Sequence, residues 1–360
     1  MTLSRLEVRG LRILRHVRMD PVPGLNLVHG LNGAGKTSLL EAIHLLSTGH
    51  SFRTRQLSPL LAPDGDAVEV VARIQSTGGG EPWPVGIRKT RDSTTARIRG
   101  ENVRSLADLA RLLPLQVMHP ESHLLVSGGP GYRRAFLDWG CFHTDPAYHD
   151  HWRRYRHLLS QRNAALRDRS SASLLSAWDT ALGEAGCALD LARARHLKVL
   201  LPYLDSLKQA LPETSGLVLE YRRGWSPDIS LAEALAQSVQ RDRSAGFTQV
   251  GPHRAELQCR LDGRPVAQVA SRGQQKSVVL LLKMAQSLWL RDTQGLPPVV
   301  LVDDLPAELD ARHRGWLMEC LQGLGAQVFV TAIESDQVPL SGWDSWQMFH
   351  VEHGTLRVGD

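Results

Sequence analysis

Hydrophobic and polar positions divide the chain into three parts, and the first part has the pattern of a β-rich region. In its first hundred residues, short apolar runs are separated by glycine and proline clusters, which is typical of strands joined by turns. After the run at 25–28, residues 38–46 carry apolar side chains at helical spacing, which predicts a helix. The strands predicted here are 3–8, 25–28, 68–74, 85–89 and 95–98.

From about residue 105 the apolar positions recur near a period of 3.6 residues, which predicts helices. Heptads are not sustained beyond a few turns, so a long coiled coil is not expected. The helices predicted in this middle part are 133–142, 147–166, 174–201 and 231–242.

The last part of the chain combines predicted helices with predicted strands. Its pattern predicts a helix at 274–290, a buried strand at 299–302, a helix at 311–323 and a strand at 327–331. A terminal hairpin turns at His353-Gly354. Two β-containing ends therefore flank a helical middle.

A complete phosphate-binding loop lies between the predicted strand 25–28 and the helix that follows. It reads Gly30-Leu31-Asn32-Gly33-Ala34-Gly35-Lys36-Thr37 and is followed by Ser38. Glycines let the backbone amides turn toward an anion at the start of a helix. Lys36 is expected to reach the β- and γ-phosphates of a nucleoside triphosphate, and the Thr37 hydroxyl to ligate Mg²⁺. The predicted nucleotide ligands from this loop are Gly30, Asn32, Gly33, Ala34, Gly35, Lys36, Thr37 and Ser38.

An acidic pair follows the apolar strand 299–302. Asp303 is expected to hold Mg²⁺ through water, and Asp304 to polarise the attacking water, with Lys36 as the other catalytic candidate. The alternative is a buried strand that ends in a solvated acidic turn. The phosphate loop favours the nucleotide interpretation, and together these motifs predict an α/β fold. Its composite ATP-binding domain comprises residues 1–112 and 285–360, and a mainly helical lobe, 113–284, is inserted between them.

A third motif, Ser271-Arg272-Gly273-Gln274-Gln275-Lys276, opens the predicted helix before the acidic strand. By itself it is typical of a helix cap with a polar first turn. Its position matches the signature motif of ATP-binding-cassette proteins, which completes the nucleotide site of a partner subunit. Ser271, Gly273 and Gln274 are therefore predicted to contact ATP across a homodimer, and Glu308-Leu309-Asp310 resembles the loop that follows the acidic strand in those ATPases.

Composition bears on the possible partners, on metal binding and on membrane insertion. Of the 42 basic residues, 36 are Arg; this favours a nucleic-acid partner, although a genome rich in G and C would produce the same bias. The four cysteines show no paired spacing, so zinc is not predicted. The longest apolar stretch, 278–290, is interrupted by Lys283 and Gln286, so we expect no membrane span and a cytoplasmic protein.

The motifs together resemble the RecF family of bacterial recombination mediators, which are SMC-head-like ATPases of the ABC type. The Arg-Arg-x-Phe-Leu-Asp-Trp-Gly and Gly-Pro-His-Arg stretches are specific to this family, whereas the ATP motifs are shared more widely. The chain departs at 11–14, where the family has Phe-Arg-Asn-Tyr and only Arg12 is retained, and at Ala255, where it has an acid. The stretches that carry the resemblance are 30–37, 41–43, 51–54, 120–121, 128–130, 133–140, 161–163, 251–254, 271–276 and 303–310.

The resemblance implies an ATP- and Mg²⁺-dependent homodimer that binds single- and double-stranded DNA at gap junctions. It also implies RecR and RecO as partners in loading RecA, and Arg12 as a further nucleotide contact. A weak, DNA-stimulated ATPase is expected, with the main role in ATP-switched DNA binding. Because Asp304 stands where many cassette ATPases have Glu, its shorter carboxylate predicts slow turnover that acts as a timer.

Three other classes are weighed against this one. In a transporter ATPase subunit, the sequence separation of 266 positions from Thr37 to Asp303 would be too large, and Thr331 stands where a switch histidine is usual. An SMC-type structural head would have hundreds of coiled-coil residues in its middle. A nuclease would need a metal-ligand cluster beyond the ATP site, and the sequence supports none.

Overall fold

The computed structural model describes residues 1–54, 56–63, 65–76, 79–169 and 171–359, except for the side chains of 172 and 174. The chain divides into two compact units, Met1–Ser122 with Leu290–Asp360, and His123–Trp289. Among the helices in the described ranges, none is long and apolar enough to cross a membrane.

The strands alternate in burial where one face meets a core and are buried throughout where both faces do. Their bounds are β1 (Thr2–Leu11), β2 (Leu14–Met19), β3 (Leu25–His29), β4 (Ala67–Gln75), β5 (Trp83–Thr90), β6 (Thr94–Ile98), β7 (Glu101–Asn102), β8 (Leu115–Met118), β9 (Leu217–Arg222), β10 (Glu256–Leu261), β11 (Arg264–Pro265), β12 (Val299–Val302), β13 (Val328–Ala332), β14 (Trp346–Glu352) and β15 (Thr355–Val358).

The helices occupy most of the second unit and connect the strands of the first. Their bounds are α1 (Lys36–Thr48), α2 (Leu106–Leu112), α3 (Leu124–Ser127), α4 (Pro130–Thr144), α5 (Tyr148–Arg167), α6 (Ala172–Lys208), α7 (Leu231–Ala245), α8 (Val266–Val269), α9 (Arg272–Gln294), α10 (Leu305–Glu308) and α11 (Ala311–Leu324).

Two sheets form the first unit. The antiparallel sheet has the order β2-β1-β4-β5-β6-β7, and the other sheet has the order β15-β14-β3-β13-β12-β8. In the latter, β14, β3, β13, β12 and β8 pair in parallel, and β15 is an antiparallel edge strand. Helix α1 contributes Leu39 and Ile43 to one core cluster that also contains Val8 and Val70 of the antiparallel sheet and Phe329 of the parallel sheet.

The parallel sheet brings the functional motifs to one edge. Val302 at the end of β12 pairs with Val330, and Ala332 at the end of β13 pairs with His29 at the end of β3. Because carboxyl ends of parallel strands meet at the same edge, the loop after β3 and the turn after β12 lie side by side.

The second unit is mainly helical but also contains the antiparallel sheet β11-β10-β9, which the sequence pattern does not predict. Its α6 continues seven residues beyond the predicted end at 201, through Pro202. Proline removes one helical hydrogen bond. Leu200 and Leu204, on either side of it, are completely buried, so packing maintains the helix there.

The units divide at 122/123 and 289/290, whereas the sequence pattern places the divisions at 112/113 and 284/285. The first division lies further along the chain because β8 (Leu115–Met118) is an edge strand of the parallel sheet and pairs with β12. A strand of four residues beside a helical region carries too little periodicity to show this partner in sequence.

Candidate nucleotide-binding site

The phosphate loop connects β3 to α1 in a conformation that requires glycine at two positions. Gly30 has φ 147° and Gly35 has φ 120°, values that side-chain-bearing residues rarely adopt. A Cβ at Gly30 would lie 2.2 Å from the Val351 carbonyl oxygen. Asn32 and Gly33 are exposed at the tip, whereas Ala34 and Ser38 are buried. The predicted strand, turn and helix are therefore all present around this loop.

Lys36 begins α1 and folds back over the loop. Its Nζ donates to the carbonyl oxygens of Gly30 at 2.7 Å and Leu31 at 3.0 Å. Burial lowers the pKa of the Lys36 ammonium, and the nearby carboxylates of Asp304 and Asp303 oppose that shift. A phosphate is a stronger acceptor than a backbone carbonyl, so this ammonium is placed to exchange its partners for an anion.

Asp303 forms the second side of the site. Its carboxylate accepts hydrogen bonds from the Thr37 hydroxyl at 2.9 Å and from the Thr331 hydroxyl at 2.9 Å. Burial raises the pKa of this carboxyl; the two hydroxyls oppose the shift, and Asp304 adds to it. No sequence motif predicts a role for Thr331 here; its position follows from the pairing of β13 with β12.

The Thr37 hydroxyl and the Asp303 carboxylate are hard oxygen donors of the kind that Mg²⁺ prefers. A hydroxyl and one carboxylate leave most of the octahedral positions to water and phosphate oxygens, as is usual for Mg²⁺ bound with a nucleotide. Among the described residues there is no cluster of three or more His, Cys, Asp or Glu residues that could hold a metal ion by itself. The donor set therefore fits Mg²⁺ accompanied by a nucleotide.

Asp304 has a left-handed backbone, with φ 55° and ψ 50° at the start of α10. Its amide donates to the Thr331 hydroxyl at 2.7 Å, which holds the turn in place. Strain at a non-glycine residue costs about 1 kcal/mol or more and is concentrated at functional sites. The turn directs the two acidic neighbours differently, since Asp303 is buried and Asp304 is partly exposed.

These residues line one polar cavity of about 640 Å³ in the first unit. Residues outside the loop and the acidic turn also line the cavity, and among them the sequence predicts a nucleotide contact only for Arg12. The Phe52 and His119 rings lie there with centroids 5.1 Å apart. Lining residues from outside the loop and acidic turn are Arg12, Phe52, Arg53, Thr54, Pro59, His119, Pro120, Glu121 and Thr331.

Glu41 is a further residue of the site whose role the sequence motifs do not predict. Its side chain is completely buried on α1, and it accepts a two-point ion pair from Arg12 at 2.6 and 2.9 Å. Ser51 donates to the same carboxylate at 2.6 Å, and Arg53 lies 3.7 Å away. Glu41 thus fixes the guanidinium of Arg12 at the cavity wall. A lone acid within the predicted helix 38–46 was the available signal.

Ser271, Gly273 and Gln274 lie in the second unit, at the exposed start of α9. The Ser271 hydroxyl accepts from the Gln274 amide at 3.2 Å, and the Gln274 side chain accepts from the Ser271 amide at 2.9 Å. This reciprocal pair is a capping box, as the sequence alternative predicted. The exposed residues are also accessible to a ligand, so the geometry is compatible with both interpretations.

Comparison with known proteins identifies a family, two relatives and a solved structure. The RecF/RecN/SMC N terminal domain family matches residues 2–356. The DNA replication and repair protein RecF of Thioalkalivibrio sulfidiphilus is 92% identical over 360 residues and covers 100% of both chains. The DNA replication and repair protein RecF of Pseudomonas fluorescens is 41% identical and covers 99% of this chain and 98% of that protein.

A solved structure of the recombination mediator protein RecF with ATP, from the RecFOR pathway, has a TM-score of 0.87 and 27% identity. It covers 99% of this chain and 97% of that chain. The predicted α/β fold of the ABC and SMC-head type, with a nucleotide domain built from both ends of the chain, is confirmed, and so is the resemblance. This chain belongs to the RecF family of DNA replication and repair proteins.

Proposed function

We propose that this chain is an ATP-switched DNA-binding recombination mediator. The observation that carries the proposal is the convergence of Lys36, Thr37, Asp303 and Asp304 on one polar cavity. An ammonium, a hydroxyl and two carboxylates at the start of a helix fit a triphosphate with Mg²⁺. The RecF structure described with ATP supports the same ligand.

In this proposal Thr37 and Asp303 hold Mg²⁺, which neutralises phosphate charge when bound. Lys36 exchanges its carbonyl partners for the β- and γ-phosphates, and the loop amides of 30–38, including Asn32, Gly33, Ala34, Gly35 and Ser38, surround them. Arg12, held by Glu41, contributes a further positive charge at the wall. Asp304 orients the attacking water, and its short carboxylate makes hydrolysis slow.

ATP joins two copies of the chain. Each ATP contacts Lys36 of one copy and Ser271, Gly273 and Gln274 of the other, as the signature motif does in cassette ATPases. The dimer holds DNA by its phosphates without reading sequence, and hydrolysis releases it. In the cytoplasm it acts at single-strand gaps, with RecO and RecR, to load RecA; the link of the family to the RecFOR pathway supports these partners.

The test separates nucleotide binding from dimerisation. Ser271→Arg puts a long cation at the proposed interface and should leave ATP affinity unchanged while it abolishes the ATP-dependent increase in mass. Mass is measured by light scattering after gel filtration, with and without ATP and DNA. Ser244→Arg, at an exposed serine of α7, is the matched control. A normal ATP-dependent dimer of Ser271→Arg would contradict the shared site.

A further inference from the structure

The antiparallel sheet of the first unit has one face in the core and one in solvent. Along β1, β2, β4, β5 and β6 the inward positions are apolar and buried, for example Leu6, Val17, Val70 and Ile87. The outward positions of these strands are rich in arginine. In the described strands, this outer face carries Arg5, Arg9, Arg18, Arg73, Arg88 and Arg97.

The acids beside this outer face are fewer, and arginines already pair with them. Arg5 pairs with Asp20 at 2.7 Å, and Arg88 pairs with Glu69 at 3.0 Å. Glu7 accepts from Arg9 at 2.6 Å. Within the described part of the chain, Arg73 and Arg97 have no ion-pair partner. The outer face therefore has an excess of positive charge.

The register places two of these cations directly opposite each other, since Arg5 on β1 pairs with Arg73 on β4. Like charges in directly opposed positions destabilise a sheet. An acid at 73 would pair with Arg5 and improve the local electrostatics. Arginine at position 73 therefore lowers the local stability of the sheet, and such a sacrifice of stability is expected at functional surfaces.

The centre of the outer face carries small side chains. Val71, which is 44% exposed, pairs with Gly86, and Gly86 pairs with Arg97 on its other side. A glycine inside a strand weakens the strand, and it also permits close approach by another backbone. Small residues framed by arginines form a shallow surface suited to an extended, rigid polyanion.

We infer that this outer face binds the phosphate backbone of duplex DNA, with Arg73 and Arg97 as two of its phosphate contacts. The inference rests on the proposed DNA-binding function and adds the surface that carries it.

The dimensions and composition favour a duplex over a single strand. The four strand spacings from β2 to β6 place Arg18 and Arg97 roughly 19 Å apart. That distance exceeds the major-groove width of about 12 Å, so phosphates on both sides of a groove are within reach. No Phe, Tyr or Trp lies on the outer face of the described strands, whereas single-strand sites use aromatic stacking.

The test compares two double variants with equal change in net charge. Arg73→Glu with Arg97→Glu alters the outer face. Arg241→Glu with Arg264→Glu alters exposed arginines of the second unit that have no ion-pair partner in the described residues. Affinity of each ATP- and Mg²⁺-loaded protein for a short fluorescein-labelled duplex is measured by anisotropy from about 50 to 200 mM KCl.

The outer-face variant should bind at least tenfold more weakly. The slope of log affinity against log salt should become shallower by roughly 1.8, since each phosphate contact contributes about 0.9. The second-unit variant should keep the slope of the unmodified protein. Arg73→Lys with Arg97→Lys should also keep it, because lysine still neutralises a phosphate. Unchanged melting temperature and ATP affinity show that the outer-face variant is folded.

The outcomes distinguish a failure of the inferred DNA-binding surface from a failure of the proposed function. If the unmodified protein binds DNA and the outer-face variant matches it in affinity and slope, the inference is wrong and the proposed function stands. If the outer-face variant loses only the binding of a protein partner, the face is a protein interface and the inference is also wrong. If the unmodified protein binds no duplex with ATP, the proposed function itself fails.

Discussion

Lys36 in the first unit and Arg162 in the second are both buried cations, but their partners differ. Lys36 is 7% exposed, and its Nζ donates to backbone carbonyls beside an open cavity. Arg162 is 0% exposed; it donates to Asp179 at 2.6 Å and to Asp242 at 2.7 Å. The first cation is paired with neutral acceptors, whereas the second is paired with two buried carboxylates.

The ionic network around Arg162 continues to the Gly-Pro-His-Arg turn. Arg162 also donates to the Thr248 hydroxyl at 2.8 Å, and the Thr248 carbonyl contacts His253 Nε2 at 3.0 Å. Because a carbonyl only accepts, Nε2 carries the proton, and Nδ1 accepts from the Tyr155 hydroxyl at 2.6 Å. These contacts satisfy both ring nitrogens of His253 and give it a structural role in this turn.

The comparison separates two uses of buried charge. Where buried carboxylates pair with a cation, removal of the cation leaves their desolvation uncompensated and reduces the stability of the fold. Where a cation meets only carbonyls at a cavity, the missing partner is a ligand, and its removal reduces binding. Substitution at the first kind of site should lower the free energy of unfolding, and substitution at the second kind should lower the affinity for the ligand.

The largest effect is expected at Arg162. Arg162→Met leaves Asp179 and Asp242 buried without their cation, and the free energy of unfolding should fall by about 3–5 kcal/mol. Urea unfolding measures this change. Arg154→Met on the same helix α5 removes an exposed ion pair with Glu184 and should cost less than about 1 kcal/mol. Equal losses in the two variants would contradict the distinction.

Lys36 should show the opposite behaviour. Lys36→Ala is expected to weaken ATP binding by about 100-fold or more, or about 2.7 kcal/mol, because the main phosphate cation is lost. The free energy of unfolding should change by less than about 1 kcal/mol, since no buried charge is left unpaired. Titration calorimetry and urea unfolding give the two values, with Lys89→Ala in the same unit as the control. A variant that unfolds but retains ATP affinity would reverse the assignment.

A smaller effect on the free energy of unfolding is expected when the pH is lowered. The pKa of His253 is lowered to about 4, mainly by burial; Arg254 and Arg134 add to the shift, and Thr248 and Asp242 oppose it. The unfolded chain takes up this proton near pH 6.5 and the native chain does so only near pH 4. Stability from neutral His253 is therefore present above pH 6.5 and is lost as the pH falls toward 4, by about 2–3 kcal/mol.

His253→Gln keeps a donor for Thr248 and an acceptor for Tyr155 but does not titrate. Urea unfolding between about pH 7 and pH 4 should therefore show a shallower decline in stability than in the unmodified protein. His157→Gln, at an exposed histidine of α5, should leave the decline unchanged. An unchanged decline in His253→Gln would show that His253 is not the buried group that drives it.

Elements with a local signal were predictable. The strand 299–302 is found with the predicted bounds, and the loop 30–37 lies between a strand and a helix as expected. Apolar runs and glycine spacing specify these features within a few residues of chain. The sheet β9 to β11 was not predicted, although β10 alternates polar and apolar positions over six residues, because its strands lie far apart in the chain among segments of helical periodicity.

The sequence by itself determined the family, the α/β fold, the phosphate loop and the acidic turn, because each depends on neighbouring residues. Only the tertiary structure decided which distant side chains meet. It paired Glu41 with Arg12, joined Thr331 to Asp303, and aligned Arg5 with Arg73 on one sheet face. Such contacts depend on strand register and burial, and no local pattern encodes the position of a partner far along the chain.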